Sequence, residues 1–225
     1  MYALFLGFLI TGWAAMVQDQ EDNGKNYQDM EDMEDENMAY IAEIYEIVEE
    51  HPDFEYRYVF RDGELQKVIV ENVEDEKDRK RLEVLIYGYK RNKEKMKGIP
   101  TRTGIYYSVD EDPEPKMGYR DFYNELYEDL KYPEEAKEWG AEGNVYVKFV
   151  VKSNGEIGYM TTTDDIESTQ ERYEEVLIQE AKKAIRSTSG DWRPGMVDGV
   201  PVASWVVMPV VFRLETYPHM PTPLF

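Results

Sequence analysis

The spacing of apolar and polar residues divides the chain into two folded regions. In the first region, apolar residues recur at helical intervals, alternate with polar residues through two short runs, and then return to helical intervals. Asp62-Gly63 lies between the two alternating runs, and this pair favours a two-residue hairpin turn. The predicted elements are a helix over 37–50, strands over 54–60 and 65–73, and a helix over 74–99. The pattern therefore predicts a small α-β-β-α module over residues 37–104.

The second region, residues 105–215, again combines helical and alternating patterns. Helices are predicted over 119–130, 133–140 and 168–187, a hairpin over 144–163, and a turn and final strand within 190–215. The hairpin residues expected to face the core are Val145, Val147, Phe149 and Val151. The long-helix residues expected to be buried are Tyr173, Val176, Leu177, Ala181, Ala184 and Ile185. The predicted fold class of the whole chain is α+β.

The first 17 residues are apolar. The run from Tyr2 to Val17 carries no charge and is 16 residues long, whereas a helix needs about 20 residues to span a bilayer. Small residues at Ala14, Ala15 and Val17 are typical of the end of an export signal. We therefore expect residues 1–17 to be a cleaved export signal, with a short uncleaved membrane anchor as the alternative.

Two further segments are predicted to lack regular structure. Residues 18–36 carry nine acidic residues and one lysine, a composition that indicates a solvated, disordered linker. Residues 216–225 carry three prolines and are expected to form a loose tail.

Composition excludes several classes of function. The net charge is −21, with 47 acidic and 26 basic residues, and such a surface repels the phosphates of nucleic acids. The chain has no cysteine, so it has neither disulfides nor thiolate nucleophiles. Its two histidines, His51 and His219, have no serine or cysteine partner in a recognisable catalytic pattern. The sequence therefore predicts no catalytic residue, metal site or cofactor, and we expect a protein that is not an enzyme.

The two hairpins resemble each other. A shift of 92 residues aligns Gly63-Glu64-Leu65 with Gly155-Glu156-Ile157, and the same shift aligns residues 83–86 with 175–178. The large residues of the two first strands fall out of phase under this shift, and a slip of one residue reverses the faces of a strand. A degenerate duplication and a coincidence between two ordinary hairpins both stay open.

A set of spaced residues over 105–214 resembles the TonB C-terminal domain family. The first half of the set comprises Val109-Asp110-Glu111, Pro113, Pro115, Tyr132-Pro133, Ala136, Gly140, Gly143 and the alternating apolar residues from Val145 to Val151. The second half comprises Gly155, Ala181, Trp192, Pro194, Gly195, Gly199, Pro201, Val202, Met208-Pro209-Val210 and Phe212. The resemblance lies in the order and spacing of the whole set.

The resemblance implies two helices on one face of a three-stranded antiparallel sheet. It also implies a periplasmic protein that grips the TonB box of TonB-dependent outer-membrane receptors and is driven by inner-membrane motor proteins of the ExbB/ExbD type. The most conspicuous motif residues, Tyr132, Pro133, Gly143, Gly155, Trp192, Pro194, Gly195 and Pro209, are expected to be mostly structural.

The final strand is the candidate binding site. An exposed sheet edge offers main-chain groups to an extended peptide, and the residues expected to supply it are Trp205, Val206, Val207, Met208, Val210, Val211 and Phe212. Val206, Met208, Val210 and Phe212 would point into the core, and Trp205, Val207 and Val211 would face out on the other side. Pro209 cannot donate a hydrogen bond, so it fits an edge strand or a bulge.

The sequence departs from the family before residue 105. The acidic segment 18–36 is not a proline-rich spacer, and the 37–104 module stands in its place. The alternative function is therefore a soluble periplasmic scaffold or adaptor that transmits no force. Pairing between two exposed edges would give a homodimer.

Overall fold

The computed structural model describes residues 6–162 and 167–214. The predicted tail over 216–225 lies outside the described residues, as do the first five residues of the predicted export signal or anchor. Among the helices of the described residues, none combines the length and the apolar character that crossing a membrane requires.

The chain forms five α-helices, ten β-strands and one 3₁₀ turn within the described residues. The helices are α1 (Leu6–Val48), α2 (Glu76–Met96), α3 (Tyr119–Asp129), α4 (Glu134–Glu138) and α5 (Glu174–Ser187), with the 3₁₀ turn at Glu171–Tyr173. The long strands are β1 (Glu55–Arg61), β2 (Glu64–Glu71), β4 (Gly143–Val151), β5 (Ile157–Thr162) and β10 (Ser204–Phe212). The short strands are β3 (Glu114–Pro115), β6 (Glu167–Ser168), β7 (Trp192–Arg193), β8 (Gly195–Val197) and β9 (Val200–Val202). The predicted α+β class is confirmed.

The first module has the predicted hairpin and second helix. β1 and β2 pair antiparallel, and the positive φ angles of Asp62 (53°) and Gly63 (82°) make the tight turn between them. Asp75 begins α2, because its side chain accepts from the N–H groups of Lys77 (2.8 Å) and Asp78 (2.9 Å). Leucine and isoleucine residues of α2 then pack against the hairpin and against α1.

The main sheet has β4 at its centre. β10 pairs with β4 along nine residues, β5 pairs with the other side of β4, and the short β6 pairs with the start of β4, all antiparallel. The inner face packs against α3 and α5 in one core. Its fully buried strand residues include Val145, Val147, Phe149, Val151, Met208 and Val210. The inward positions predicted for the hairpin are confirmed.

One position of the long helix was predicted wrongly. Val176 is 42% exposed, whereas the adjacent Leu177 is fully buried in the inner core. A helix turns by about 100° per residue, and this rotation places Val176 on the side turned away from the sheet. The sheet is covered by the face that carries Leu177, Ala181 and Ile185.

The outer face of the main sheet is also covered, which the sequence did not indicate. Tyr146 of β4 and Val207 of β10 belong to a second core with Ile44 and Tyr45 of α1. The Tyr146 hydroxyl donates to the carbonyl of Ala42 (3.3 Å), and the Tyr45 and Tyr146 rings lie 6.2 Å apart. α1 therefore lies between the main sheet and the first module.

Polar contacts fix α1 against the sheet. Lys148, on the outer face of β4, pairs with Glu34 of α1 at 2.8 Å, and their side chains are only 14% and 8% exposed. Near the other end of the contact, Glu49, which directly follows α1, accepts from Asn144 (2.8 Å) and from Arg213 (2.7 Å). The last part of α1 is thus tied to the sheet at both ends.

Residues 18–36 are helical, so the prediction of a disordered linker is wrong. Two acidic residues of this segment have partners elsewhere in the chain: Lys148 pairs with Glu34, and Asn92 donates to Glu36 at 2.6 Å. Met30 is buried, which adds an apolar contact to the same segment. The prediction rested on the charges of residues 18–36 alone. Their partners Lys148 and Asn92 lie far away in the sequence and come close only through tertiary packing.

The two hairpin-helix units agree at positions related by the 92-residue shift. Gly63 and Gly155 have φ angles of 82° and 83°. Leu85 and Leu177 are both buried. Common ancestry of the two units stays a prediction.

The two turn glycines provide a matched test of packing. A Cβ atom on Gly155 would lie 2.3 Å from the main-chain oxygen of Trp192, whereas one on Gly63 would meet no atom within 4 Å. Gly63→Ala is expected to lower the free energy of unfolding by about 1 kcal/mol, from backbone strain alone. Gly155→Ala is expected to lower it by about 3 kcal/mol, because overpacking is added to the same strain. Urea unfolding measures both, and equal losses would show that the Trp192 carbonyl simply moves aside.

The Lys148–Glu34 pair provides a second test. Lys148→Met is expected to lower the free energy of unfolding by about 3 kcal/mol, because Glu34 would stay buried without its partner. Lys80→Met is the control: it breaks an exposed pair with Glu76 (2.6 Å; side chains 70% and 68% exposed) and is expected to cost less than about 1 kcal/mol. Similar small losses for both variants in chemical denaturation would contradict the docking of α1 described above.

Candidate functional site at the outer edge of β10

β10 is a terminal strand of the main sheet, with β4 as its partner. In an antiparallel pair, the N–H and C=O groups of alternate residues point towards the partner and those between them point away. Trp205 N–H donates to the Tyr106 carbonyl (2.9 Å) and Val211 N–H donates to the Tyr127 hydroxyl (3.0 Å), and neither acceptor belongs to β4. The odd-numbered residues of β10 therefore direct their main-chain groups to the outer edge.

The two ends of this edge are occupied. At the start of β10, Tyr106 both accepts from Trp205 and donates to the Ala203 carbonyl (2.9 Å), which makes a short parallel bridge. At the far end, the Tyr127 hydroxyl accepts a hydrogen bond from the Val211 N–H. An extended ligand thus meets protein groups at both ends.

The middle of the edge is short of donors. Pro209 has no N–H group, and its nitrogen lies on the outer side, the position in a sheet where a proline costs no ladder bond. Val207 is therefore the one residue between Trp205 and Val211 that supplies an outward N–H. No described residue is hydrogen-bonded to that N–H group.

The side chains of β10 divide between the two cores. Val206, Met208, Val210 and Phe212 are buried in the inner core, as predicted. Val207 and Val211 are also buried, each 8% exposed, so the prediction that they face outward is wrong. The physical reason is α1, which covers the second face of the sheet.

Trp205 is the partly exposed side chain of this strand. Its ring lies 5.8 Å from that of Tyr159 in an edge-on arrangement, and the Lys148 ammonium lies 5.1 Å from the ring centre. Tyr159 is strongly exposed. The start of β10 thus presents an aromatic surface beside the main-chain edge.

Three tyrosines of α3 follow one another at intervals of four residues next to the edge. The rings of Tyr119 and Tyr123 lie 6.5 Å apart, and those of Tyr123 and Tyr127 lie 6.4 Å apart. Burial raises the pKa of Tyr123 well above its ordinary value, and the phenols of Tyr45, Tyr127 and Tyr119 raise it further. We call these three residues, Tyr119, Tyr123 and Tyr127, the tyrosine row.

Most motif residues have structural contacts. Trp192 is fully buried, its indole N–H donates to Thr188 (3.0 Å), and Phe122 and Phe149 pack edge-on against its ring. Tyr132 donates to the Ala141 carbonyl and packs edge-on against Phe212 at 5.5 Å.

The other motif residues mark turns and element ends. Pro133 is the N-cap of α4, Gly143 begins β4, and Pro194 separates β7 from β8. A Cβ atom on Gly195 would lie 2.6 Å from the Ser204 hydroxyl, so the close approach of β8 to the start of β10 requires glycine.

Sequence reasoning missed the residues that cover the edge. Nothing in the sequence indicated that the Tyr127 hydroxyl caps the Val211 N–H. Tyr106 and the covering helix α1 were also missed. The spacing of the tyrosine row was a usable signal for a helix face, but not for the surface that this face meets.

Residues 128–214 match the family model described as the Gram-negative bacterial TonB protein C-terminal. This part of the chain is similar to the C-terminal domain of TonB proteins. The resemblance seen in the sequence is confirmed over these residues, and the match begins at the end of α3. The match covers less than half of the chain.

Two solution structures of the Helicobacter pylori TonB C-terminal domain are similar to the chain. One, of residues 179–285 of that protein, is 18% identical with a TM-score of 0.32, and the match covers 44% of this chain and 81% of that one. The other, of residues 194–285, is 19% identical with a TM-score of 0.33, and covers 44% and 95%. Comparison with curated proteins gave no match.

Metal binding has no support in the described part of the chain. Among those residues, no group of three or more histidine, cysteine, aspartate or glutamate side chains is arranged to hold a metal ion.

Amide hydrogen exchange tests the geometry of the edge in the TonB-like domain. Val207 N–H is expected to exchange faster than Trp205 N–H and Val211 N–H, because the latter two have hydrogen-bond acceptors and Val207 does not. NMR exchange rates on the same strand provide the measurement and its internal control. Equal protection at all three positions would mean that the outer edge is closed along its whole length.

Proposed function

We propose that the chain is a periplasmic TonB-like protein that captures an extended peptide, the TonB box of an outer-membrane receptor, by adding it as a strand to the outer edge of β10. The observation that carries this proposal is the Val207 N–H, which points away from the sheet and has no partner among the described residues. Capture of the receptor segment would support energy-dependent transport across the outer membrane.

The edge can form a short ladder with a peptide. It offers the Val207 N–H and the outward carbonyl groups of Trp205, Val207 and Pro209. Each main-chain hydrogen bond contributes about 0.5–1.5 kcal/mol net, so this ladder alone gives weak binding. Side-chain contacts with the aromatic surface at Trp205 and Tyr159 would add affinity at one end.

Charge supports a peptide that is not strongly acidic. The chain carries a net charge of −21, and like charges on a ligand would slow its approach and weaken its binding. A receptor segment with basic residues beside the pairing stretch would associate faster, and this advantage would fall as the salt concentration rises.

One observation favours the alternative function, a periplasmic scaffold or adaptor without force transmission. The acidic segment before the first module is part of α1, and the chain from 34 to 49 is bound to the main sheet by Lys148, Asn144 and Arg213. A helix docked on the binding domain is not a free spacer to a distant motor. If residues 1–17 are cleaved as an export signal, the chain would act as a periplasmic adaptor. If they are retained as a membrane anchor, it would engage ExbB/ExbD-type motor proteins.

A peptide whose main-chain N–H groups are removed one at a time tests strand addition. Isothermal titration with a short synthetic TonB-box peptide is expected to give binding, and N-methylation is expected to abolish it at every second position only. The period of two follows because alternate residues of an added strand face β10. Uniform tolerance of N-methylation would exclude strand addition even if the peptide binds.

A variant of the protein completes this test. Val207→Pro removes the one unpaired outward N–H and is expected to abolish peptide binding. Circular dichroism and a thermal melt control for the fold, because Val207 also packs against α1. Unchanged affinity in a folded Val207→Pro protein would locate the peptide elsewhere and leave the adaptor as the supported function.

A further inference from the structure

The last residue of the tyrosine row lies where an added strand would pair with β10. Tyr127 reaches the outer edge of β10, because its hydroxyl accepts the Val211 N–H at 3.0 Å. Tyr123 belongs to the inner core, yet its phenol is close enough to Tyr45 of the second core to have its pKa raised by it. The inner and second cores lie on opposite faces of the sheet. Tyr127 therefore occupies the position from which an added strand would accept the Val211 N–H.

The contact made by Tyr127 is easily exchanged for a ligand contact. A phenol oxygen accepts the Val211 N–H through one hydrogen bond from a side chain, and a peptide carbonyl is an equivalent acceptor for the same N–H. Exchange of one neutral acceptor for another leaves no buried donor unpaired, which is the costly outcome in such sites. The Val211 N–H can therefore be hydrogen-bonded either to the Tyr127 hydroxyl or to a carbonyl group of a bound peptide.

The other two tyrosines of the row, Tyr119 and Tyr123, fix α3 in its position. Tyr119 donates to the Pro113 carbonyl at 3.1 Å, and Tyr123 is buried in the inner core, where its ring packs edge-on against Phe122 at 5.7 Å. Covering an edge strand with a helix is one way in which proteins prevent unwanted pairing between sheets. Here α3 also contributes the Tyr127 hydroxyl, which accepts the outward N–H of Val211.

We propose that the tyrosine row of α3 is a built-in competitor for the β10 edge, so that a bound peptide displaces the Tyr127 hydroxyl from the Val211 N–H. This inference rests on the proposed function, because it concerns the regulation of the same site. It goes further because Tyr127, which is not part of β10, lowers the affinity of the edge for a peptide. The reason is that only molecules in which Tyr127 has released the Val211 N–H are competent to bind.

Tyr127→Phe tests the competition. The variant keeps the ring and removes the hydroxyl, so the Val211 N–H becomes available to a ligand. Affinity for the short synthetic TonB-box peptide is expected to rise roughly three- to tenfold, the equivalent of one neutral hydrogen bond. Exchange of the Val211 amide without peptide is expected to quicken in the same variant, which reports the loss of the capping group directly.

Tyr40→Phe is the matched control. It removes a hydroxyl that donates to Glu36 at 2.6 Å on α1, away from the edge. Peptide affinity and Val211 exchange are expected to stay unchanged in this variant. Thermal melts of both variants separate an effect on the edge from a general loss of stability.

The outcomes distinguish this inference from the proposed function. A rise in affinity with faster Val211 exchange supports both. Equal affinity of wild type and Tyr127→Phe, with faster Val211 exchange, overturns the competition and leaves strand addition intact. No binding by either protein overturns the proposed function, and the competition for a peptide fails with it.

Discussion

The docking of α1 on the outer face of the main sheet is the contact on which the rest of the structure depends. It buries Tyr146 and Val207, which would otherwise form an apolar surface, and it supplies Glu34 to the charge of Lys148. A lysine in this position is costly without that partner, because the surrounding rings and strands remove most of its water. The two regions of the chain therefore fold as one unit.

The same docking shapes the candidate binding edge. Tyr123 is buried in the inner core, and Tyr127, one helical turn further along α3, accepts the Val211 N–H. Tyr106 covers the other end, and Pro209 removes a donor from the middle. The edge is thus protected against uncontrolled pairing while one N–H, that of Val207, stays available.

The helical state of the acidic segment follows from charges that lie far away in the sequence. Arg81 and Asn92 of α2 bind Glu43 and Glu36 of α1, and Lys148 of the main sheet binds Glu34. Two acidic residues of the segment predicted as a disordered linker, Glu34 and Glu36, thus have partners in β4 and α2. A docked helix therefore occupies the place where the composition indicated a linker.

The sequence by itself determined the elements whose pattern is local: the two hairpins with turns at Asp62-Gly63 and Gly155, the inward residues of β4, and the resemblance of residues 128–214 to the C-terminal domain of TonB proteins. Only the tertiary structure decided which surfaces meet. The burial of Val207 and Val211, the exposure of Val176 and the capping of Val211 by Tyr127 depend on contacts between residues distant in sequence. Periodicity shows that a face is apolar, but packing alone decides what covers it, because any apolar face of suitable shape gains a similar free energy by burial.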